Sequence, residues 1–274
     1  MRIDHSAINE LRCDRRGVRV ALVMHNSAVM TTLHKAISLT TIVSAVMLAT
    51  TLAPEARSDK SQDKKIKDAS AQSAKAAKAF DAIMQVPDQA IPRELLSRAR
   101  AIAVFPEVIK VAMTVGGEGG RGVVSRNVNG QWSEPVFFRA GGGSVGAQIG
   151  ASATDVFLLL MSDDSVGALM KDKVELGGEV GVAAGPVGRN AGAGTDALMH
   201  AEVLSYSRSR GLFAGASVKG IVLKPEDDLN TAVYNKTARE LLADVGGESP
   251  NPEAGLRAFP QALTRYTASP GGER

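Results

Sequence analysis

Three residue types in this chain could form a nucleophilic hydrolase site. Residues 142–146, GGSVG, satisfy the GxSxG pattern that surrounds a catalytic serine, and His200 follows them. Aspartates at five positions before the histidine complete the order serine, acid, histidine: Asp155, Asp163, Asp164, Asp172 and Asp196. A nucleophile elbow needs a helix directly after the serine, whereas Gly146 and Gly150 disfavour a helix here. We therefore expect no enzyme and no catalytic residue, and we keep a serine hydrolase acting through Ser144 as a minor alternative.

A second glycine motif has the pattern of a dinucleotide-binding loop. Residues 117–122 satisfy GxGxxG and follow a predicted strand. That site needs a helix immediately after the motif, so that the helix N-terminus faces the pyrophosphate. Here Val123–Val128 leads instead to Asn129-Gly130, a typical pair for a two-residue hairpin turn. The motif therefore predicts a β-hairpin, and we expect no cofactor.

Metal ligands are scarce beyond the N-terminal segment. Cys13 is the one cysteine of the sequence, and His200 is the one histidine after residue 34. A single histidine without a cysteine cannot form a Cys/His zinc site, and the acidic residues lack EF-hand spacing. We expect neither a metal ion nor a disulfide. The adjacent acids Asp163-Asp164 and Asp227-Asp228 are interpreted as helix starts.

The distribution of charge argues against a nucleic-acid partner. The formal net charge is +3, and residues 1–53, with six Lys/Arg and three Asp/Glu, account for all of it. Residues 54–274 contain 26 side chains of each sign. Because this larger part is formally neutral, it lacks the overall basic character of a nucleic-acid-binding domain.

The N-terminal segment is typical of an export signal. Residues 36–53 form an uncharged apolar run of 18 residues after Lys35, with small residues near its end. The alternatives are an uncleaved membrane anchor, because this length can just span a bilayer, and a buried core helix. We predict an exported protein, in the periplasm or outside the cell and associated with a membrane, whose translation starts at Met24 or Met30.

The rest of the chain combines helical and strand patterns. Residues 54–74 are polar and predict a linker that becomes helical further on, and residues 75–247 predict a folded domain. A helix that carries Ala76 and Phe80 on its apolar side ends at Pro87, and further helices start at Pro92, at Asp164 and at Asp227 or Asp228. Residues 248–274 are rich in proline and predict a flexible tail.

Beyond residue 100 the pattern indicates a β-rich domain. Between Gly116 and Gly220 lie 22 of the 28 glycines, interleaved with apolar runs. The predicted strands are Ala101–Phe105, Val111–Val115, Gly122–Val128, Gln131–Phe138, Thr154–Met161, Glu179–Ala184, Glu202–Tyr206 and Leu212–Leu223. The fold class is therefore α+β, with a glycine-rich, mostly antiparallel curved sheet or barrel-like core and helices packed on it from both ends of the domain.

Five blocks, read in order, resemble the SYLF domain family. They are IPRELLSRARAIAVFP (91–106), VGGEGGRGVV (115–124), GQWSEPVFFRAGGGSVGAQIGASATDVFLLLM (130–161), AAGPVGR (183–189) and SYSRSRGLFAGASVKG (205–220). The chain departs from the family pattern at Gly119, where an aromatic residue is expected, and at Tyr234-Asn235, where Tyr-Gly is expected.

The resemblance implies a non-enzymatic module of the exported bacterial type. Its eukaryotic relatives bind phosphoinositide-containing membranes and, in some proteins with SH3 domains, actin filaments. Because we predict export, we expect anionic membrane lipids as partners, with a protein partner as a further candidate, and we do not expect actin. The alternative class is an envelope structural or protein-interaction module that binds partners through its glycine-rich strands.

Two groups of residues are candidate lipid contacts. In the first, an amphipathic helix places apolar side chains in the interface and lysines at the head groups: Phe80, Ile83 and Met84 with Lys75 and Lys78. The alternative for this helix is that its apolar side packs on the sheet. In the second, Arg208 and Arg210 alternate onto one strand face and hold phosphate oxygens. Its alternative is a solvated strand face.

Overall fold

The computed structural model describes residues 55–86, 90–112, 115–145, 150–187, 201–209, 212–215, 218–243 and 255–268. The chain divides into two compact units, Met1–Ala56 and Arg57–Arg274. The predicted export segment, residues 1–53, lies outside the described residues. Among the helices that are described, none is both long enough and apolar enough to cross a bilayer.

Helices precede and follow a run of strands. The first two helices are α1 (Glu55–Met84) and α2 (Arg93–Arg98). The central elements are β1 (Ala101–Ala112), β2 (Val115–Val128), β3 (Gln131–Trp132), β4 (Val136–Val145), β5 (Gly150–Leu160), α3 (Asp163–Leu169), β6 (Val174–Glu175), β7 (Val182–Ala184), β8 (Val203–Ser209), β9 (Leu212–Gly215) and β10 (Val222–Pro225). The chain then forms α4 (Asp227–Tyr234), α5 (Ala238–Ala243) and α6 (Ala258–Thr267).

The described strands form one mixed sheet that curls into a half-barrel. Its order is β6-β10-β4-β2-β1-β5-β8-β7, with β3 paired to β2 and β9 paired to β8. Strands β7 and β8 pair in parallel, whereas the other described pairs are antiparallel. This architecture confirms the predicted α+β class with a mostly antiparallel, curved sheet.

Glycine is required at two kinds of position in this sheet. The turn between β2 and β3 places Asn129 and Gly130 at φ values of 53° and 84°, as a two-residue hairpin turn demands. At Gly122, a Cβ would lie 2.4 Å from the carbonyl oxygen of Val104. The GxGxxG pattern of residues 117–122 thus lies within β2, which confirms the hairpin interpretation.

The two faces of the sheet bury separate apolar clusters. One face packs under α1 and α6 and contributes Val104, Val123, Phe137 and Phe157, among others. The opposite face contributes Phe105, Phe138 and Leu158 and is covered in part by α3 and α5. Alternating residues of each central strand therefore point into different cores.

The predicted linker is part of a helix. α1 begins at Glu55 and runs through the whole of residues 57–74. Ala69 and Ser73 are buried, and the Gln72 side chain donates a 2.8 Å hydrogen bond to the carbonyl oxygen of Gly122. The linker prediction was wrong because small residues bury this part of the helix by close approach, and a search for large apolar side chains misses them.

The flexible-tail prediction is also wrong for residues 255–268. In α6, Phe259, Ala262 and Leu263 are fully buried. Pro260 is compatible with this helix because it lies in the first turn, where a missing N–H costs no intrahelical hydrogen bond. Proline content therefore did not indicate disorder here.

Several boundaries differ from the predicted ones. β1 is one strand through Ala112, whereas we predicted that a strand ends at Phe105 and another begins at Val111. A β-bulge between Phe105 and Val108, with Glu107 at φ 52°, lets the strand continue with a shifted register. The helix expected after Asp227 breaks into α4 and α5 at Asn235, which has φ 54°. Asparagine tolerates this left-handed conformation, so it can occupy a position where glycine is expected. At Gly119, the nearest atom to a built Cβ is 3.7 Å away, so the site has room for a side chain.

Candidate functional site

The apolar residues predicted to enter a membrane belong to the core. Phe80 and Ile83 are 0% and 1% exposed, and Met84 is half-buried against the same cluster. The Phe80 ring packs edge-to-face with Phe259 and Tyr266 of α6, at centroid distances of 6.4 and 5.8 Å. These side chains are therefore used for packing α1, and the prediction that they enter the interface is corrected.

Arg208 forms an ion pair across two strands. It lies opposite Asp155 in the β5–β8 register, and its Nε and Nη2 donate to Asp155 Oδ2 at 3.0 and 2.6 Å. The other carboxylate oxygen of Asp155 accepts from the Glu107 amide at 2.9 Å, and Glu107 contacts Lys75 at 3.4 Å. This chain of contacts connects the two predicted groups of basic residues. Arg210 lies outside the described residues.

The outer face of α1 carries a row of lysines, here called the lysine face. Its seven positions follow the three- and four-residue spacing of one helical face: Lys60, Lys64, Lys67, Ala71, Lys75, Lys78 and Ala82. The five lysines are exposed and extend over about 27 Å of helix. Within the described part of the chain, Lys75 is the one of the five with an acidic side chain inside 4.0 Å. The face is therefore a cationic row, interrupted at Ala71, that includes the predicted Lys75 and Lys78.

A second cationic row crosses the sheet beside α1. Lys224 pairs with Arg139, and Arg139 pairs with Arg121, on the neighbouring strands β10, β4 and β2. These three residues line a cleft of about 550 Å³, here called the ionic cleft, together with two residues of α1 and the start of α4: Lys65, Asp68 and Pro225–Leu229.

Glu226 is the buried centre of the ionic cleft, with a side chain that is 2% exposed. Arg121 donates to its two oxygens from Nε and Nη2, each at 2.9 Å, and donates from Nη1 to Asp68 at 2.8 Å. Arg139 donates from Nε to the same carboxylate. The hydrogen bond to Glu226 is the main cause that raises the pKa of Arg121 above its ordinary value. One carboxylate thus joins two strands, and Arg121 joins them in turn to Asp68 of α1.

The chain around Glu226 fixes its position. The Glu226 amide donates to the carbonyl oxygen of Phe137 at 2.9 Å. One turn later, Asn230 accepts from the Phe137 amide at 2.9 Å and donates to its carbonyl at 3.1 Å. The sequence did not reveal this cluster, because its arginines lie in glycine-rich blocks and meet only when the strand register is known.

The structure does not place Ser144 on a nucleophile elbow. Ser144 lies within β4, opposite Gly116 of β2, and the next described element is strand β5. His200 lies outside the described residues. Among the residues that the structure describes, no three His, Cys, Asp or Glu side chains are placed to hold a metal ion.

Comparison with known proteins shows similarity to one group of relatives. Residues 141–266 match a family model described as "Ysc84: Las17-binding protein actin regulator". The chain is 34% identical over 225 residues to LAS seventeen-binding protein 3 of Saccharomyces cerevisiae. The aligned region covers 80% of the chain and 48% of that protein.

Two further relatives show similar identity. Protein YSC84 of S. cerevisiae is 35% identical over 186 residues, with 66% of the chain and 40% of that protein covered. SH3 domain-containing YSC84-like protein 1 of Homo sapiens is 35% identical over 168 residues, with 61% of the chain and 48% of that protein covered. The chain thus spans about half the length, or less, of these relatives.

Proposed function

Because this chain belongs to the Ysc84 (SYLF) family, we propose that its folded domain is a non-catalytic module that binds anionic membrane lipids. The observation that supports this proposal most directly is the lysine face of α1. Lysines occupy five of the seven positions of that face, and from Ala69 onward the opposite side of the helix is buried. The surface is therefore cationic before any partner binds.

The proposed binding is electrostatic adsorption. Each lysine near an anionic leaflet contributes about 1 kcal/mol, and the attraction decays within about one Debye length, roughly 8 Å at physiological salt. Because Phe80 and Ile83 lie in the core, insertion of the apolar side of α1 is not part of this proposal. Binding is consequently expected to rise with anionic lipid content and to fall with salt.

A charge-removal series tests this proposal. The triple variant Lys60→Gln/Lys64→Gln/Lys67→Gln is expected to weaken the salt-sensitive part of vesicle binding by about 100-fold, since it removes three contributions of about 1 kcal/mol. The measurement is co-sedimentation of the full chain with vesicles of increasing anionic lipid content at two salt concentrations. Reading the salt-sensitive part separates electrostatic binding from any contribution of the apolar residues 36–53.

A second triple variant is the matched control. Lys171→Gln/Lys173→Gln/Lys219→Gln removes the same charge from three exposed lysines outside α1 and is expected to bind nearly as the parent does. Equal binding by the two triple variants, or binding that salt does not weaken, would contradict the role of the lysine face.

Protein binding is a second candidate function, which the names of the relatives favour. LAS seventeen-binding protein 3 is named for a protein partner. In this chain the glycine-rich end of the sheet carries Ile109, which is 55% exposed. If the protein binds vesicles of no composition and forms a stable complex or oligomer in size-exclusion chromatography, this function is favoured over lipid binding.

A further inference from the structure

The ionic cleft is lined by four acidic and four basic residues, and three of the four acids accept hydrogen bonds. Glu226 accepts from Arg121 and Arg139, and Asp68 accepts from Arg121. The carboxylate of Asp227, the first residue of α4, accepts from the amide of Ala238, the first residue of α5, at 2.7 Å. The acids of the cleft thus hold neighbouring elements together.

Asp228 is the remaining acid of the cleft, and its charge is also offset. It lies in the first turn of α4, where the helix dipole stabilises a negative charge. The Lys65 ammonium lies beside it and donates to its backbone carbonyl at 3.3 Å. The exposed carboxylate of Asp228 therefore opposes an incoming anion less than its formal charge suggests.

Two cations of the cleft retain free donors. Arg139 uses its Nε for Glu226, and its side chain is 67% exposed, so its two Nη groups remain as donors. Lys224 is exposed and has no acidic side chain within 4.0 Å among the described residues. The two residues are direct cross-strand partners, which places their Cβ atoms about 5 Å apart on one face of the sheet.

This pair has the chemistry of a phosphate site. A guanidinium offers a planar set of N–H donors that matches phosphate oxygens, and an ammonium adds a point charge. Glu226 restrains the guanidinium of Arg139, so little side-chain freedom is lost on binding. The cleft volume of about 550 Å³ lies in the range of small-molecule sites, roughly 300–1,000 Å³, and exceeds the size of a phosphate ion.

We propose that the ionic cleft binds a phosphate monoester, with Arg139 and Lys224 as its contacts. This site is distinct from the lysine face and goes beyond general attraction to anionic lipid, because it selects one chemical group. The monoester can be carried by a soluble molecule or by a lipid head group, and the experiment distinguishes these sources.

The first probe is glycerol 3-phosphate, titrated into the full chain by calorimetry at low salt. Lys224→Gln is expected to weaken binding about tenfold, the effect of losing one charge-assisted hydrogen bond. Arg139→Gln is expected to weaken it at least as much. Because Arg139 also contacts Glu226, the unfolding midpoint of the Arg139→Gln variant is measured in parallel. Lys224 makes no ion pair with any described residue, so its variant reports on binding alone.

The second probe is a vesicle that contains phosphatidic acid, compared with a vesicle of equal charge made with phosphatidylglycerol, a phosphodiester. If the parent chain binds glycerol 3-phosphate and Lys224→Gln weakens that binding, a soluble ligand is supported. A preference for phosphatidic acid that Lys224→Gln removes supports a lipid ligand. Absence of both effects would overturn the proposal.

The lysine-face triple variant keeps the two proposals separate. It is expected to lose vesicle adsorption while it retains glycerol 3-phosphate binding and any preference for phosphatidic acid at high protein concentration. If Lys224→Gln changes neither glycerol 3-phosphate binding nor the preference for phosphatidic acid, the phosphate site is rejected. If the parent chain still adsorbs to anionic vesicles in that case, the proposed lipid function stands.

Discussion

Glu226 joins elements that are far apart in the chain. Its carboxylate is buried and receives hydrogen bonds from Arg121 of β2 and Arg139 of β4, while Arg121 also binds Asp68 of α1. A buried carboxylate is tolerated only when it is paired and hydrogen-bonded, and here two guanidinium groups satisfy it. The same pairing leaves the Nη groups of Arg139 available in the ionic cleft.

Two buried tyrosines, Tyr206 and Tyr234, have raised pKa values. Burial raises the pKa of Tyr206 and of Tyr234 well above the ordinary value of 10.0, and the charge of Glu134 raises the pKa of Tyr234 further. The Tyr234 hydroxyl donates to the carbonyl of Pro135 at 2.9 Å. Both rings therefore stay neutral in the folded state at pH values where an unfolded chain loses its phenolic protons.

This shift predicts a loss of stability at alkaline pH. Because the folded pKa values are raised, the stabilisation is complete below pH 10 and is lost as pH rises through 10 toward the folded pKa, by about 1.4 kcal/mol per pH unit for each tyrosine. Urea unfolding at pH 8, 10 and 11 measures it. Tyr206→Phe is expected to give a shallower decline than the parent, and an unchanged decline would contradict the assignment.

At the scale of elements, α1 is a helix with two different sides. One side supplies Ala76, Phe80 and Ile83 to the core, and the other side is the lysine face. Apolar burial of the first side stabilises the helix, so the lysines need no partner to keep it folded. This division assigns packing and surface recognition to different residues of one element.

Helix α6 and the residues just before it contact α1 directly. Phe259 is fully buried against Phe80, and Ser73 of α1 donates to the carbonyl of Leu256 at 2.7 Å and accepts from the Phe259 amide at 3.2 Å. The last described segment of the chain is therefore part of the core and not an appendage to it.

A substitution in α6 tests this conclusion. Phe259→Ala is expected to lower the free energy of unfolding by about 3–5 kcal/mol, the cost of removing a fully buried aromatic ring. Urea unfolding provides the measurement. The control is Gln261→Ala, an exposed position of the same helix, with an expected change within about 0.5 kcal/mol. Equal stability of the two variants would mean that α6 does not pack in solution.

At the scale of the whole molecule, the charge of residues 54–274 is balanced in number and uneven in position. Residues 54–274 have 26 side chains of each sign, yet five lysines gather on one face of α1. A neutral protein with such a face is attracted to anionic surfaces in one orientation. The net charge of the chain therefore says little about its binding surface.

The proposed setting for this surface is outside the cytoplasm. We propose that residues 36–53 direct export and are then removed, which predicts a mature protein that lacks them and a precursor that begins at Met24 or Met30. N-terminal sequencing of both forms provides the measurement. Retention of residues 36–53 in the mature protein would indicate an anchor instead.

The sequence alone determined the features that depend on local patterns. The α+β class, the Asn129-Gly130 turn and the family resemblance were predicted from neighbouring residues and are confirmed. Each depends on spacing within a few residues or on the order of blocks, which the linear chain contains in full. The predicted Lys75 and Lys78 are likewise exposed, because the periodicity of a helix decides which side faces solvent.

Only the tertiary structure decided which residues meet. Residues 57–74 and 255–268 read as linker and tail because their local composition is polar or rich in proline, but each supplies a surface that the other buries. Arg121, Arg139 and Lys224 come from three strands, and Glu226 follows the last of them, so strand register sets their proximity. The physical reason is the same in both cases, since burial and ion pairing act between segments whose separation in sequence carries no information about their distance in space.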